Sequence, residues 1–135
     1  MTIQLPFSVE HEYRDMPDGI TIPVSLTSGS YEVAADAKVD TGSAVCLFSR
    51  EIGMLLGLDI ESGLYKPIGS LTGTLDAYGH EVTLTTFDIP IHCFVYFARY
   101  PGLHRNLLGR QGWLRALRMG LIDYENKLYL DKLEA

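Results

Sequence analysis

The chain has 135 residues, a length that fits one folding unit burying about two-thirds of its unfolded surface and too short for two large lobes. Hydrophobic residues at 47% and charged residues at 21% are ordinary for a globular protein, and a net charge of −6 argues against a nucleic-acid surface, the basic residues being scattered except for Arg99, Arg105, Arg110, Arg115 and Arg118, which read as solvated or dipole-complementing positions near the last helix. No run reaches the roughly 18 apolar residues that span a bilayer, and Met1-Thr2-Ile3-Gln4-Leu5-Pro6 has no basic segment leading into a long apolar core, so the chain reads as cytoplasmic, with no membrane partner.

In chain order, residues 7–14 form a first extended candidate. Residues 20–26 and 31–39 follow as two strands around Thr27-Ser28-Gly29-Ser30, a hairpin signal. Tyr31, Val33, Ala35, Ala37 and Val39 alternate as a strand should, and the apolar run Ala44-Val45-Cys46-Leu47-Phe48 resumes after a turn. Ser49 is placed to cap a helix over 50–56, which Gly57 would end. A glycine-punctuated stretch over 68–79 comes next, then strands at 81–89 and 91–100 with Pro90 between them. A short strand at Leu107 leads to a helix expected over 112–120, with a glycine at each end, and a closing strand spans 127–130. Many short strands with one or two brief helices predict a mainly β, closed or nearly closed barrel of a single lobe, with 1–135 as one domain.

The turn between the two apolar strands is Asp40-Thr41-Gly42-Ser43. Asp-x-Gly is also ordinary turn chemistry, but a carboxylate between two buried strands is not a typical surface turn. Thr41 can offer a hydroxyl to backbone, Gly42 leaves room for backbone to approach the carboxylate, and Ser43 can donate to the outer carboxylate oxygen. Further along, Leu107-Leu108-Gly109-Arg110 combines two apolar residues with a glycine.

Together these two motifs resemble the retropepsin-like aspartic proteases, in particular the single-domain retroviral-type and bacterial members, over roughly residues 20–130. The resemblance implies an acid-protease-like barrel in which Asp40 is catalytic, Thr41, Gly42 and Ser43 support its loop, and Leu107, Leu108 and Gly109 pass behind it. It also implies a flap, a hairpin closing over bound peptide, for which Gly69, Ser70, Leu71, Thr72, Gly73 and Thr74 are the candidates. Retroviral members pair an acidic residue shortly after the catalytic Asp with the Arg that follows the Leu-Leu-Gly element. Ala44 and Val45 stand there instead, so Arg110 must find another partner or face solvent.

A single Asp40 has a chemical consequence. Hydrolysis by carboxyls needs one charged group to take a proton from water and one protonated group to donate to the scissile carbonyl. Two such groups about 3 Å apart share a proton and titrate as a pair. A chain with one of them must take the second from another copy, which a two-fold homodimer supplies. The terminal segments 7–14 and 128–133 could interlock across such a dimer or simply close the barrel.

Other chemistries find less support. His11, His80, His92 and His104 lack metal-ligand spacing, and His92 and Cys93 would point to opposite faces of a strand. Cys46 and Cys93 lie in apolar runs as free thiols, Ser43 lacks a Gly-x-Ser-x-Gly elbow, and Gly53 to Gly57 lacks the Lys of a phosphate loop. The expectation is an aspartic endopeptidase acting on peptide or protein substrates as a homodimer, without metal or cofactor. The alternative is a non-catalytic module that keeps the barrel and binds a peptide or protein.

Overall fold

Alternation in the first third of the chain builds the first wall of a barrel. The computed structural model describes residues 1–133, Ser70 by its backbone only. After β1 (Val9–Glu12), β2 (Thr21–Ser28) and β3 (Tyr31–Val39) pair antiparallel from Thr21↔Lys38 to Ser28↔Tyr31, which confines the turn to Gly29 and Ser30. Ile22, Val24 and Leu26 project from β2 into the core while the residues between them face outward. Further elements are β4 (Leu47–Phe48), α1 (Arg50–Leu55), β5 (Leu64–Ser70), β6 (Gly73–Thr86), β7 (Ile89–Ala98), β8 (Asn106–Leu108), β9 (Leu117–Ile122) and β10 (Lys127–Lys132).

Six strands close on themselves in the order β2-β3-β8-β4-β7-β6, and β6 returns to β2 through Ser25↔Thr85, Leu26↔Leu84 and Thr27↔Thr83. Closure removes the free edges that an open sheet would expose. β5 pairs with β6 outside this ring, so the β5–β6 hairpin projects from the barrel, with Leu71 and Thr72 at its tip between Ser70 and Gly73. A second sheet, β1-β10-β9, joins the two terminal segments within one chain. Phe48, Val82, Leu84, Val95, Phe97, Leu108, Trp113, Leu128 and Leu130 fill the common core.

α1 starts where Ser49 Oγ accepts a hydrogen bond from Ile52 N–H at 3.3 Å, and it buries Ile52 and Gly53. The helix expected over 112–120 is not there. A three-residue 3-10 turn, Leu114–Ala116, leads directly into β9. The two glycines mark close approaches and not helix ends. Gly112 has φ +99°, and a Cβ there would lie 3.0 Å from the Phe94 carbonyl oxygen; one at Gly120 would meet the Phe7 ring at 3.0 Å. Six register pairs with β10 then hold residues 117–122 extended, overriding their helical propensity.

Pro90 does not separate two strands either. It lies inside β7 opposite Thr85, and the reversal falls at Phe87 and Asp88, both with positive φ (47° and 66°). Such a two-residue turn matches strand twist. Counting from its closing pair, Thr86↔Ile89, Pro90 occupies a position whose nitrogen points away from β6, so no ladder bond is lost.

β8 crosses directly beneath the loop after β3. Asn106 braces its start, its Nδ2 donating to Asp36 O at 2.9 Å and its Oδ1 accepting from Ser49 N–H at 3.0 Å. A Cβ at Gly109 would stand 2.1 Å from Val45 O and 2.7 Å from Ser43 O. Gly109→Ala should therefore destabilise the fold by about 1–3 kcal/mol through forced backbone displacement, read as a lower midpoint in urea unfolding; an unchanged midpoint would contradict this close packing. A buried polar contact gives a second check. Trp113 Nε1 donates to Thr86 Oγ1 at 3.2 Å with both residues fully buried. Thr86→Val keeps the shape and strands the indole N–H, and a loss of about 1–3 kcal/mol is expected, with the emission of the sole tryptophan reporting the transition.

Candidate active site

Asp40 sits at the end of β3, where the strand stops and a tight turn begins. Its own N–H donates to Leu108 O at 3.0 Å, and its carbonyl accepts from Ser43 N–H at 3.1 Å, which closes the turn. Gly42 N–H donates to Asp40 Oδ1 at 3.0 Å, orienting the carboxylate by a local Asx-type bond. From below, Arg110 N–H and Gln111 N–H donate to Ser43 O and Ala44 O, each at 2.9 Å. The loop is thus fixed by backbone bonds to β8 and to the residues that follow it.

Ser43 and Thr41 behave differently from the sequence expectation. Ser43 Oγ donates to Val45 O at 2.7 Å and not to the carboxylate, a local side-chain-to-backbone bond of the kind serine readily makes. Thr41 is exposed, and among the described residues its hydroxyl has no partner. Asp40 is half-buried and Gly42 exposed, so the carboxylate face of the loop opens outward.

A cleft of about 600 Å³ lies between this loop and the β5–β6 hairpin. Asp40, Gly42 and Ser43 form one side with Leu47 and Leu107; Ile68, Gly69, Leu71, Thr72 and Leu75 face them from the hairpin, and Leu103 adds a third wall from the loop after β7. Asp40 is the sole titratable group among the described residues that line it. Of the residues singled out from sequence, Gly69, Leu71, Thr72 and Leu107 border the cleft with the Asp40 loop. Gly73 and Thr74 belong to the hairpin without lining it, and the side chain of Ser70 lies outside the description. Leu108 is buried in the core, and Gly109 lies under the loop. Tyr78 packs against the core beside Tyr65, ring centres 5.6 Å apart, away from the cleft lining.

Sequence reasoning did not single out Leu47, Leu75 or Leu103 as cleft walls. Leu103 carried a signal, being an apolar residue in the otherwise turn-like Tyr100-Pro101-Gly102-Leu103-His104 loop. Leu47 and Leu107 are direct partners on adjacent strands, a pairing that strand alternation alone does not reveal.

Neither cysteine is poised as a nucleophile. Both are free, and burial pushes the Cys46 thiol up to about 11 and the Cys93 thiol up to about 12. Cys46 instead braces the crossing, its Sγ accepting from Gly109 N–H at 3.4 Å. His80 Nε2 lies 2.9 Å from Ile60 O, His92 pairs with Glu81 at 3.7 Å on the surface, and His11 stacks on Phe87 at 4.5 Å. Arg110 faces solvent, with no acidic partner among the described residues.

No family model and no curated protein matches the chain. Among solved structures it is similar to a retropepsin-like aspartic protease from Rickettsia conorii, with a TM-score of 0.62 and 17% identity over 91% of this chain and 97% of the other. It is also similar to EIAV protease complexed with the inhibitor HBY-793, with a TM-score of 0.55 and 18% identity over 72% of this chain and 86% of the other. The closed barrel, the projecting hairpin and these likenesses agree: the chain has the retropepsin-like fold of the aspartic proteases.

Proposed function

We propose that the protein is an aspartic endopeptidase that assembles its catalytic dyad across a homodimer, one Asp40 coming from each copy. The observation that carries this reading is the solitary carboxylate of Asp40, held on a backbone-pinned loop at a cleft that the hairpin faces from the other side. Every other described residue lining the cleft is uncharged. One carboxyl cannot be both base and acid in the same step, so chemistry at Asp40 requires a second copy. The outward-facing loop and the exposed Thr41, whose hydroxyl has no partner among the described residues, suit an approach by that copy. The terminal segments pair with each other within one chain, from Val9↔Leu130 to Glu12↔Lys127.

In the mechanism this implies, the dyad holds one proton. The charged Asp40 takes a proton from the attacking water, while the protonated one hydrogen-bonds to the scissile carbonyl and stabilises the developing oxyanion. Collapse of the tetrahedral intermediate returns a proton to the leaving nitrogen and leaves the pair as it began. An extended peptide fits the cleft by backbone hydrogen bonds, and aliphatic walls select uncharged side chains beside the scissile bond. The hairpin, with its tip at Leu71 and Thr72, acts as the flap. The free thiols suit work in the cytoplasm, and no described helix is long and apolar enough to cross a membrane.

Asp40→Asn should reduce cleavage of a diverse peptide pool by on the order of a hundredfold or more, without lowering the unfolding midpoint. Mass spectrometry of the pool at several protein concentrations should show wild-type cuts that rise more steeply than linearly. Cuts retained in the variant would overturn the reading, and an absence of Asp40-dependent cuts from demonstrably dimeric protein would favour a peptide-binding module.

A further inference from the structure

Two walls of the cleft are tied together behind it. Leu75 on β6 faces the cleft, and its neighbour Asp76 faces the opposite side of the hairpin by strand alternation. Asp76 Oδ1 accepts from Tyr65 Oη at 2.7 Å, a bond across the stem from β5 to β6. Its Oδ2 lies 3.7 Å from Arg99 Nη1, and its carbonyl accepts from Arg99 N–H at 2.9 Å. At 3.7 Å the side chains attract as charges and do not form a directed hydrogen bond.

Arg99 opens the loop that carries Leu103. The loop is anchored in turn, since Arg99 O accepts from Arg50 Nη1 at 2.7 Å, and Arg50 is held by Glu61 through two bonds of 2.8 and 2.9 Å. The Arg99 guanidinium also lies 5.2 Å from the centre of the Tyr100 ring. A continuous set of bonds thus runs from Tyr65 through Asp76 and Arg99 to the start of α1.

We propose that Asp76 and Arg99 are positioning residues that set the width of the cleft, coupling the β5–β6 hairpin to the loop bearing Leu103 so that both walls move as one. The kinetic consequence rests on the endopeptidase reading; the coupling itself does not. A peptide entering the cleft is gripped by both walls, and walls that drift independently must each be ordered on binding. That penalty applies equally to bound substrate and transition state, so its signature is a raised KM with kcat preserved. The pair is part-exposed, with side-chain exposures of 44% for Arg99 and 31% for Asp76, so its effect is modest and falls as salt rises.

Asp76→Asn keeps the shape of the side chain and an acceptor for Tyr65 while removing the charge, and Arg99→Gln removes the other half. Amide hydrogen exchange of the folded protein, resolved by segment, should speed up by about two- to fivefold in both 66–76 and 99–105 for either variant. Exchange in β2 and β3 should stay unchanged, and the double variant should exceed neither single one. With a peptide substrate, KM should rise by a similar factor while kcat stays within about twofold, and added salt should bring wild type toward the variants. Exchange that changes in the hairpin alone, changes in neither segment, or adds in the double variant would overturn the coupling. Should wild type cleave no peptide while the exchange result holds, the endopeptidase reading falls and the coupling stands. Cleavage with exchange and KM untouched by the variants removes the coupling alone.

Discussion

The crossing of β8 beneath the Asp40 loop is the constraint on which the rest of this structure depends. Leu108 O receives the Asp40 N–H, Ser43 O and Ala44 O receive the N–H groups of Arg110 and Gln111, and only a glycine at 109 lets the segments pass so closely. Backbone groups in this bonded arrangement have little freedom to relax independently. The carboxylate inherits that rigidity through Gly42 N–H, so its position is set by the main chain and needs no side-chain partner.

Barrel closure makes the crossing possible. β3 and β4 lie on either side of β8, and pairing of β6 with β2 completes the ring that holds them. The same closure leaves β5 outside, where it can only extend β6 as a projecting hairpin. A fixed carboxylate on the barrel and a hairpin facing it across a cleft follow from one topology. Asp76 and Arg99 then link the hairpin to the third wall at its base.

Much of this was legible in the chain. Alternation from Tyr31 to Val39, the turn after it, and Ser49 as a cap depend on local chemistry, and the structure agrees. Non-local contacts were harder to read. Gly112 and Gly120 look like helix ends in sequence, yet each answers to a neighbour distant in the chain, the Phe94 carbonyl and the Phe7 ring. Pro90 reads as a break but sits where a strand has no bond to lose, while the true turn falls on Phe87 and Asp88, residues with no glycine to announce it. The cleft walls at Leu47, Leu75 and Leu103 come from three separate segments, and only the folded topology brings them together. For Ser43, residue type gave the donor correctly, but its acceptor was decided by local backbone geometry.

The central claim is that two copies of Asp40 make one site. It is tested most directly by mixing wild type with Asp40→Asn, at fixed total concentration and after subunit exchange, and following cleavage of a single peptide. If each site needs both carboxyls, activity falls as the square of the wild-type fraction, to about a quarter at equal mixing when pairing is random. A linear fall, to about half, would mean that each copy works alone, and a fall to only about three-quarters that one Asp40 per pair suffices; either would contradict the account.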